Sequence, residues 1–489
     1  MLLNFLNRFR IQSLVLVILL VCYQPVRAQS KISPIIILQS ASDEFSIEVT
    51  NELVEAFKYP EFKYEIINLD EVTTIPIPSG TNLLINTSTN ITKIDETELN
   101  KIIDYLGRGG NMIFFGTVTD ERFAYIQGIR AGADYSIDQT VRGIKGVENI
   151  FPGFKGMEFY SNFSIHHNRL KKSSFTDQIR ILATGVTDEE YPILFENSIG
   201  LGTVLVFNSY VLYEKDYRGL MFSSVVKMMP HIPYRNANVA TIFLDDFPAP
   251  LYNTKFEPIA TEYNIEQAEF VANIWWPDMK NLADSLLITY SAMTAFNYNA
   301  NIVPPFDYLE WTSATIRRKN RLVKASVHLA QEIANSRHEL AFHGYNHFSL
   351  LNEEWDSNSS FMESALNSVK KRWRIDDLGP LPVTYVPPTN FIDSTGIQAL
   401  TNAMPSIKVL SSLYLGEKEF GGDRGFGPDP YSDKLFNYPR ISSGFNIDGN
   451  SVFNQHSMQL LTGVWNHFVH PDDVFQIVQR DADSYESRA

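Results

Sequence analysis

The sequence predicts an α/β fold in two halves, a doubly wound and largely parallel sheet over about 30–234 and a second parallel α/β unit over about 237–480. Three observations carry this expectation. Short apolar runs such as Ile35-Ile36-Ile37-Leu38 and Asn111-Met112-Ile113-Phe114-Phe115 alternate with stretches of helical spacing, as they do where strands are buried on both faces and linked through helices. A stretch holding Pro230 and Pro233, residues 228–238, separates the halves as a linker. In the second half the polar clusters stand at the ends of apolar runs, where parallel sheets collect their ligands.

The totals fit this picture. A chain of 489 residues is long for one core, and 44% apolar residues suffice for two. A formal net charge of -15 argues against nucleic acid as a partner, because no basic patch offsets it. Arg8 and Arg10, the apolar run 11–22, and Val26-Arg27-Ala28 read as a signal peptide over 1–28 that directs export to the periplasm or medium. The run is shorter than the ~20 residues a bilayer requires, so no permanent membrane span is expected. The single cysteine, Cys22, lies in this segment, so a processed chain has no disulfide and no thiolate.

In chain order, the first half reads as strand 34–38, helix 45–57, strand 82–86, helix 95–106, strand 111–116 and strand 203–207. The helix, Gly109-Gly110 and the strand that follows, together with the late run Gly202-Thr203-Val204-Leu205-Val206-Phe207, resemble the glutamine amidotransferase-like α/β domains. Catalytic members carry a cysteine at the turn after a central strand. Phe115-Gly116-Thr117-Val118 has none, so the half is expected to be non-catalytic. His166-His167 reads as a surface loop pair.

The second half reads as strand 239–244, helical patterns at 265–270 and 278–288, and one or two basic helices over 309–336 with a solvated face. Strand 339–342, helix 359–373, strand 384–386, helix 394–404, strand 407–410, a glycine-rich loop at 421–427 and strand 460–468 follow, with a polar tail over 480–489.

Chemistry concentrates at three strand ends. Asp245-Asp246 follow a buried run, and two adjacent carboxylates there repel unless a cation or proton shares the site. His343 and His347 are spaced to share a helical turn and one divalent ion, most simply Zn2+. His467, His470 and Asp472-Asp473 close the third run, with His467 expected on the opposite face from His470 and the two acids expected to start a helix. Taken singly, each cluster also fits an ordinary capping role.

In this order, Phe243-Leu244-Asp245-Asp246-Phe247 and His343-Gly344-Tyr345-Asn346-His347 resemble the first two motifs of the polysaccharide deacetylases of carbohydrate esterase family 4. The resemblance covers about 239–473. It implies a distorted (β/α) barrel, with Asp245 as general base and Asp246, His343 and His347 as metal ligands. It also implies His470, in Val469-His470-Pro471, as general acid, and an acetylated polysaccharide as substrate. The third motif departs from the pattern: Tyr385, in Tyr385-Val386-Pro387-Pro388-Thr389-Asn390, stands where an arginine normally orients the base. Asn390 or Arg440 could take over that task. Trp276 and Tyr345 are candidates to line the sugar site. Two other readings are a glycan-binding or exopolysaccharide-assembly component that has lost turnover, and a glycosidase using Asp245 with Asp472.

Overall fold

A computed structural model of the chain describes residues 35–91, 94–138, 140–445, 449–475 and Tyr485. The signal segment and the polar tail therefore lie outside the described residues, apart from Tyr485.

The first half is built on β1 (Ile35–Gln39), β2 (Tyr64–Asn68), β3 (Leu83–Asn86) and β4 (Asn111–Phe114). The rest of it comprises β5 (Ile137–Asp138), β6 (Arg142–Gly146), β7 (Glu158–Ser164), β8 (His167–Asn168), β9 (Arg180–Gly185), β10 (Pro192–Ile199) and β11 (Gly202–Phe207). Apart from the short pair β5–β8, these strands form one nine-stranded sheet in the order β2-β1-β3-β4-β11-β10-β9-β6-β7. The five strands from β2 to β11 are parallel, as expected. From β10 onward the pairing is antiparallel, so only part of the sheet matches the expectation. Gly200 turns β10 back into β11 at positive φ, and this tight return needs no crossover helix. The helix Glu44–Lys58 starts on the side chain of Asp43, which accepts from Ser46 N at 3.3 Å. It buries Val49, Leu53, Ala56 and Phe57 against the sheet.

The second half contains β12 (Val239–Leu244), β13 (Tyr290–Ala295), the hairpin β14 (Thr315–Arg318) and β15 (Arg321–Lys324), β16 (Glu339–Gly344), β17 (Thr384–Tyr385) and β18 (Val409–Leu410). It ends with β19 (Gly427–Asp429), β20 (Ser432–Asn437), β21 (Ser442–Ser443) and β22 (Val464–Val469). Apart from the hairpin these form a nine-stranded sheet, β19-β20-β18-β17-β16-β13-β12-β22-β21, in which every pairing except β19–β20 is parallel. The sheet curls into a half-barrel rather than a closed ring. The carboxyl ends of β12, β16 and β22 therefore lie along one edge of the curled sheet.

Two elements differ from the sequence reading. The basic stretch 309–336 holds the hairpin β14–β15 and a single helix, Ala325–Ala334, because Lys319 and Asn320 adopt left-handed φ and make a two-residue turn. Leu460 and Leu461 end a helix, Gly449–Thr462, rather than begin β22, with Gly463 at φ 72° as the stop.

Candidate metal centre

Each polar cluster stands at a strand end that fixes it. β12 pairs in register with β22, and Asp245 N donates to Val469 O at 3.0 Å, which places Asp245 beside the end of β22. Asp246 takes φ 51° immediately after β12, which turns its carboxylate away from that of Asp245. His343 lies on β16. Gly344, at φ 126°, then turns the chain so close to Pro388 that a Cβ there would lie 2.9 Å from its Cγ. His347 follows at φ 54°. The two histidines thus meet across a strand end and a turn, not along a helix as their spacing suggested.

These residues converge. Asp246 Oδ1 lies 3.7 Å from His343 Nε2, and Asp246 Oδ2 lies 3.5 Å from His347 Nε2. The two imidazole centroids are 5.1 Å apart. Ligand atoms about 2.0–2.1 Å from one tetrahedral ion stand about 3.3 Å from each other, so the spacing suits a single Zn2+-sized ion. The donors are also in the right state. His343 Nδ1 lies 2.9 Å from Val386 O, so that nitrogen donates to the carbonyl and leaves the Nε2 lone pair facing Asp246. Burial holds the His343 pKa below its ordinary value, despite the carboxylates of Asp246 and Asp245. Asp246 Oδ1 is buried without a hydrogen-bond partner. Two imidazoles and a carboxylate oxygen with an unmet lone pair form a donor set that fits a divalent cation.

Asp245 is 2% exposed and sits beside this triangle. Arg440, only 1% exposed, donates from Nη1 to Asp245 Oδ2 and from Nη2 to Asn390 Oδ1. Burial opposes charge on Asp245, but Arg440, His343 and His470 outweigh it and hold the carboxyl below its ordinary value. Arg440 is itself fixed. Its N–H donates to Ser412 O at 2.7 Å, and its guanidinium lies 4.0 Å from the centre of the Phe468 ring. Asn466, a residue the sequence reading missed, clamps the same segment, donating to Pro439 O at 2.7 Å and accepting from Ile441 N at 2.8 Å.

His470 stands across from Asp245, its Nε2 4.0 Å from Asp245 Oδ2. Its backbone N–H donates to Asp473 Oδ2 at 3.0 Å, so Asp473 caps the short turn Pro471–Phe475, the helix-start role expected of it. Burial works against charge on His470, but Asp473, Asp245 and Asp246 outweigh it and lift its pKa to about 9. His467 points elsewhere, bonding Ser442 Oγ at 2.7 Å and Gly444 O at 2.7 Å.

Two predicted sugar-site aromatics are buried in the core instead. Trp276 is 1% exposed, with Phe247 and His338 against its ring and Nε1 donating to Glu332, because the wide turn Val271–Trp275 directs both tryptophans into the core. Tyr345 is 2% exposed, its hydroxyl bound to both Asp307 N and Asp307 O. Tyr385, in the expected arginine position, is buried under Phe342. In the first half, His167 is buried rather than in a surface pair, its ring against Tyr191, and only His166 is exposed.

Comparison with known proteins adds the following. The solved structure of Agd3, described as a novel carbohydrate deacetylase, is similar in fold, with a TM-score of 0.50 at 10% identity over 91% of this chain and 79% of that one. A ThuA-like protein of Parabacteroides merdae matches 42% of this chain and 94% of its own, with a TM-score of 0.32 and 12% identity. A β-galactosidase of Bacillus circulans matches 40% and 31%, with a TM-score of 0.30 and 11% identity. No curated protein matches the sequence. Residues 158–486, more than half of the chain and including every residue of the metal centre and its neighbours, match one sequence family, and the chain belongs to it: the family described as uncharacterised protein conserved in bacteria (DUF2194).

Proposed function

We propose that the chain is an exported, metal-dependent hydrolase that removes acetyl groups from a polysaccharide. The observation that carries this reading is the triangle of Asp246, His343 and His347 with a second, arginine-held carboxylate beside it. The fold likeness to a solved carbohydrate deacetylase supports it. Those three residues would hold a zinc-type ion, which would supply water of lowered pKa, near 7, and polarise a carbonyl oxygen.

The remaining chemistry belongs to the side chains. Asp245, ionised and fixed by Arg440, takes a proton from water as that water attacks the acetyl carbon. The carbon–nitrogen or carbon–oxygen bond to the sugar then breaks, and acetate leaves. His470, charged at neutral pH, gives its proton to the departing amine or alkoxide. Arg440 comes from the segment after β20 and supplies the orientation that the family's usual arginine gives from the position now held by Tyr385. The first half, with no cysteine at its strand ends, supports the catalytic half without chemistry of its own.

Acetate release from acetylated oligosaccharides by the zinc-loaded full chain tests this. Asp245→Asn is expected to lower turnover by more than about 100-fold with zinc still bound. Unchanged release would overturn the reading. Glycan and zinc binding without any acetate would replace it with a binding component.

A further inference from the structure

The loop after β13 is tied to the turn that carries the histidines. Asn297 N donates to Tyr345 O at 2.8 Å, the Tyr345 hydroxyl bonds Asp307 N and O at 3.1 and 3.0 Å, and Asn346 Nδ2 donates to Asn301 O at 2.7 Å. Phe296, at the root of the loop, is buried with its ring centroid 4.7 Å from that of Trp311. This lacing places one side chain at the rim of the metal centre. The ring centroid of Tyr298 lies 5.5 Å from that of His347, and its phenol is turned inward near the Asp246 carboxylate. The residue remains 37% exposed. Its backbone N–H is held by Glu310 Oε2 at 2.5 Å. An aromatic ring held at its backbone, packed beside His347 and still open to solvent is a preorganised platform for a flat, partly apolar ligand.

We propose that Tyr298 is the surface on which the pyranose ring of the acylated sugar lies, and that it makes the centre select ring-shaped acetylated sugars over small acyl compounds. This rests on the deacetylase reading and adds a substrate contact to it. The C–H face of a pyranose covers the exposed ring, while the contact with the His347 ring keeps it from turning away. Trp276 and Tyr345 cannot do this, because their faces are already covered.

The test uses the full-length, zinc-loaded chain as wild type, Tyr298→Phe and Tyr298→Ala. The probes are N-acetylglucosamine and N-acetylgalactosamine tetramers, an O-acetylated xylan fragment and, as the small acyl compound, ethyl acetate. For the best oligosaccharide, Tyr298→Ala is expected to raise KM at least 10-fold while kcat falls no more than about 3-fold. Its preference for that oligosaccharide over ethyl acetate should fall at least 10-fold. Tyr298→Phe, which keeps the ring, should raise KM far less. If Tyr298→Ala leaves every oligosaccharide KM within 2-fold, the proposal fails. It also fails if the main loss is in zinc affinity, measured by chelator competition, because Tyr298 would then only position Asp246. If the wild type releases no acetate, the deacetylase reading falls, and oligosaccharide titration by NMR with the same variants still decides the platform. A wild type that binds no oligosaccharide, or an alanine variant that binds it equally well, ends the proposal.

Discussion

At the carboxyl ends of the first sheet, small hydroxyls bond one another. Ser46 and Thr50 each lie 2.9 Å from the Thr87 hydroxyl, which also donates to Leu38 O, and Thr117 donates to Asn208 Oδ1 at 3.1 Å. The carboxylates among them are bonded too: Asp43 takes the Ser88 hydroxyl at 2.9 Å and Thr89 N at 3.0 Å while capping a helix, and Asp70 takes the Ser40 hydroxyl at 3.0 Å and Ser42 N at 2.7 Å. At the same ends of the second sheet stand Asp245 and Asp246, three imidazoles and a guanidinium, and an oxygen of each of these two carboxylates is buried with no partner. Both sheets offer the position where α/β proteins bind ligands. The first leaves only neutral oxygens unmet there, Asn86 Oδ1 and the Ser209 hydroxyl, whereas the second leaves an oxygen of each of two carboxylates. The second sheet end is thus set apart by the charge of the valences it leaves open, and topology alone does not supply that.

The comparison can be broken most forcefully through the metal. His343→Ala is expected to weaken zinc binding by more than about 100-fold in chelator competition, since it removes a ligand and not merely a supporting bond, which alone costs about 10–100-fold. The matching change at the first sheet, Thr117→Val, should leave zinc affinity untouched. Next in size is the buried pair. Arg440→Met strands the charge of Asp245 and is expected to cost about 3–5 kcal/mol in urea unfolding. Adding Asp245→Asn should recover part of that loss, and a double variant no more stable than Arg440→Met would show that the guanidinium contributes packing alone.

A buried acid without such a partner sharpens the contrast. Burial, with Glu214 nearby, pushes Asp216 up from 3.8 to about 6, and its Oδ1 has no partner. Above pH 6 both native and unfolded chains carry the charge, and the native state bears the cost, about 2–3 kcal/mol at 1.36 kcal/mol per unit. Between pH 6 and 4 the native acid takes up its proton first and the cost fades. Asp216→Asn should therefore stabilise the chain at pH 7.5 and lose that advantage toward pH 4.5. An advantage independent of pH would mean that the charge is not its source. The smallest effect belongs to the satisfied sheet end: Thr117→Val should cost about 1 kcal/mol in urea unfolding, the net worth of an ordinary hydrogen bond.

The metal triangle was legible in the sequence because its members follow apolar runs, and strand ends carry their neighbours to predictable places. The helix reading of His343 and His347 failed because Gly344 and the left-handed His347 make a turn that spacing cannot display. The task of Arg440 was visible only as an option. Its segment is placed by Asn466, which lies on β22, a contact that no local pattern encodes. The hairpin at 315–324 did leave a signal, an Asn at the turn between Ile316 and Leu322-Val323, which the basic composition hid. Trp276 illustrates the reverse error, a residue type suited to sugars spent on a core. Tyr298 gave no signal at all, because its position depends on bonds from its own loop to Tyr345 and Asn346, which lie far from it in sequence.

Gly219, in the helix Arg218–Met228, approaches the backbone of Ser457 so closely that a Cβ would fall 2.0 Å from its carbonyl oxygen, and its N–H donates to Ser457 Oγ at 2.9 Å. Phe453, Met458 and Leu461 of that late helix share one core with Phe57, Leu220 and Val225. A gene divided at the proline linker would therefore yield two polypeptides with raw apolar seams, each prone to aggregate when expressed alone. Any shuffling of the second half onto another partner would have to bring the earlier helix along with it.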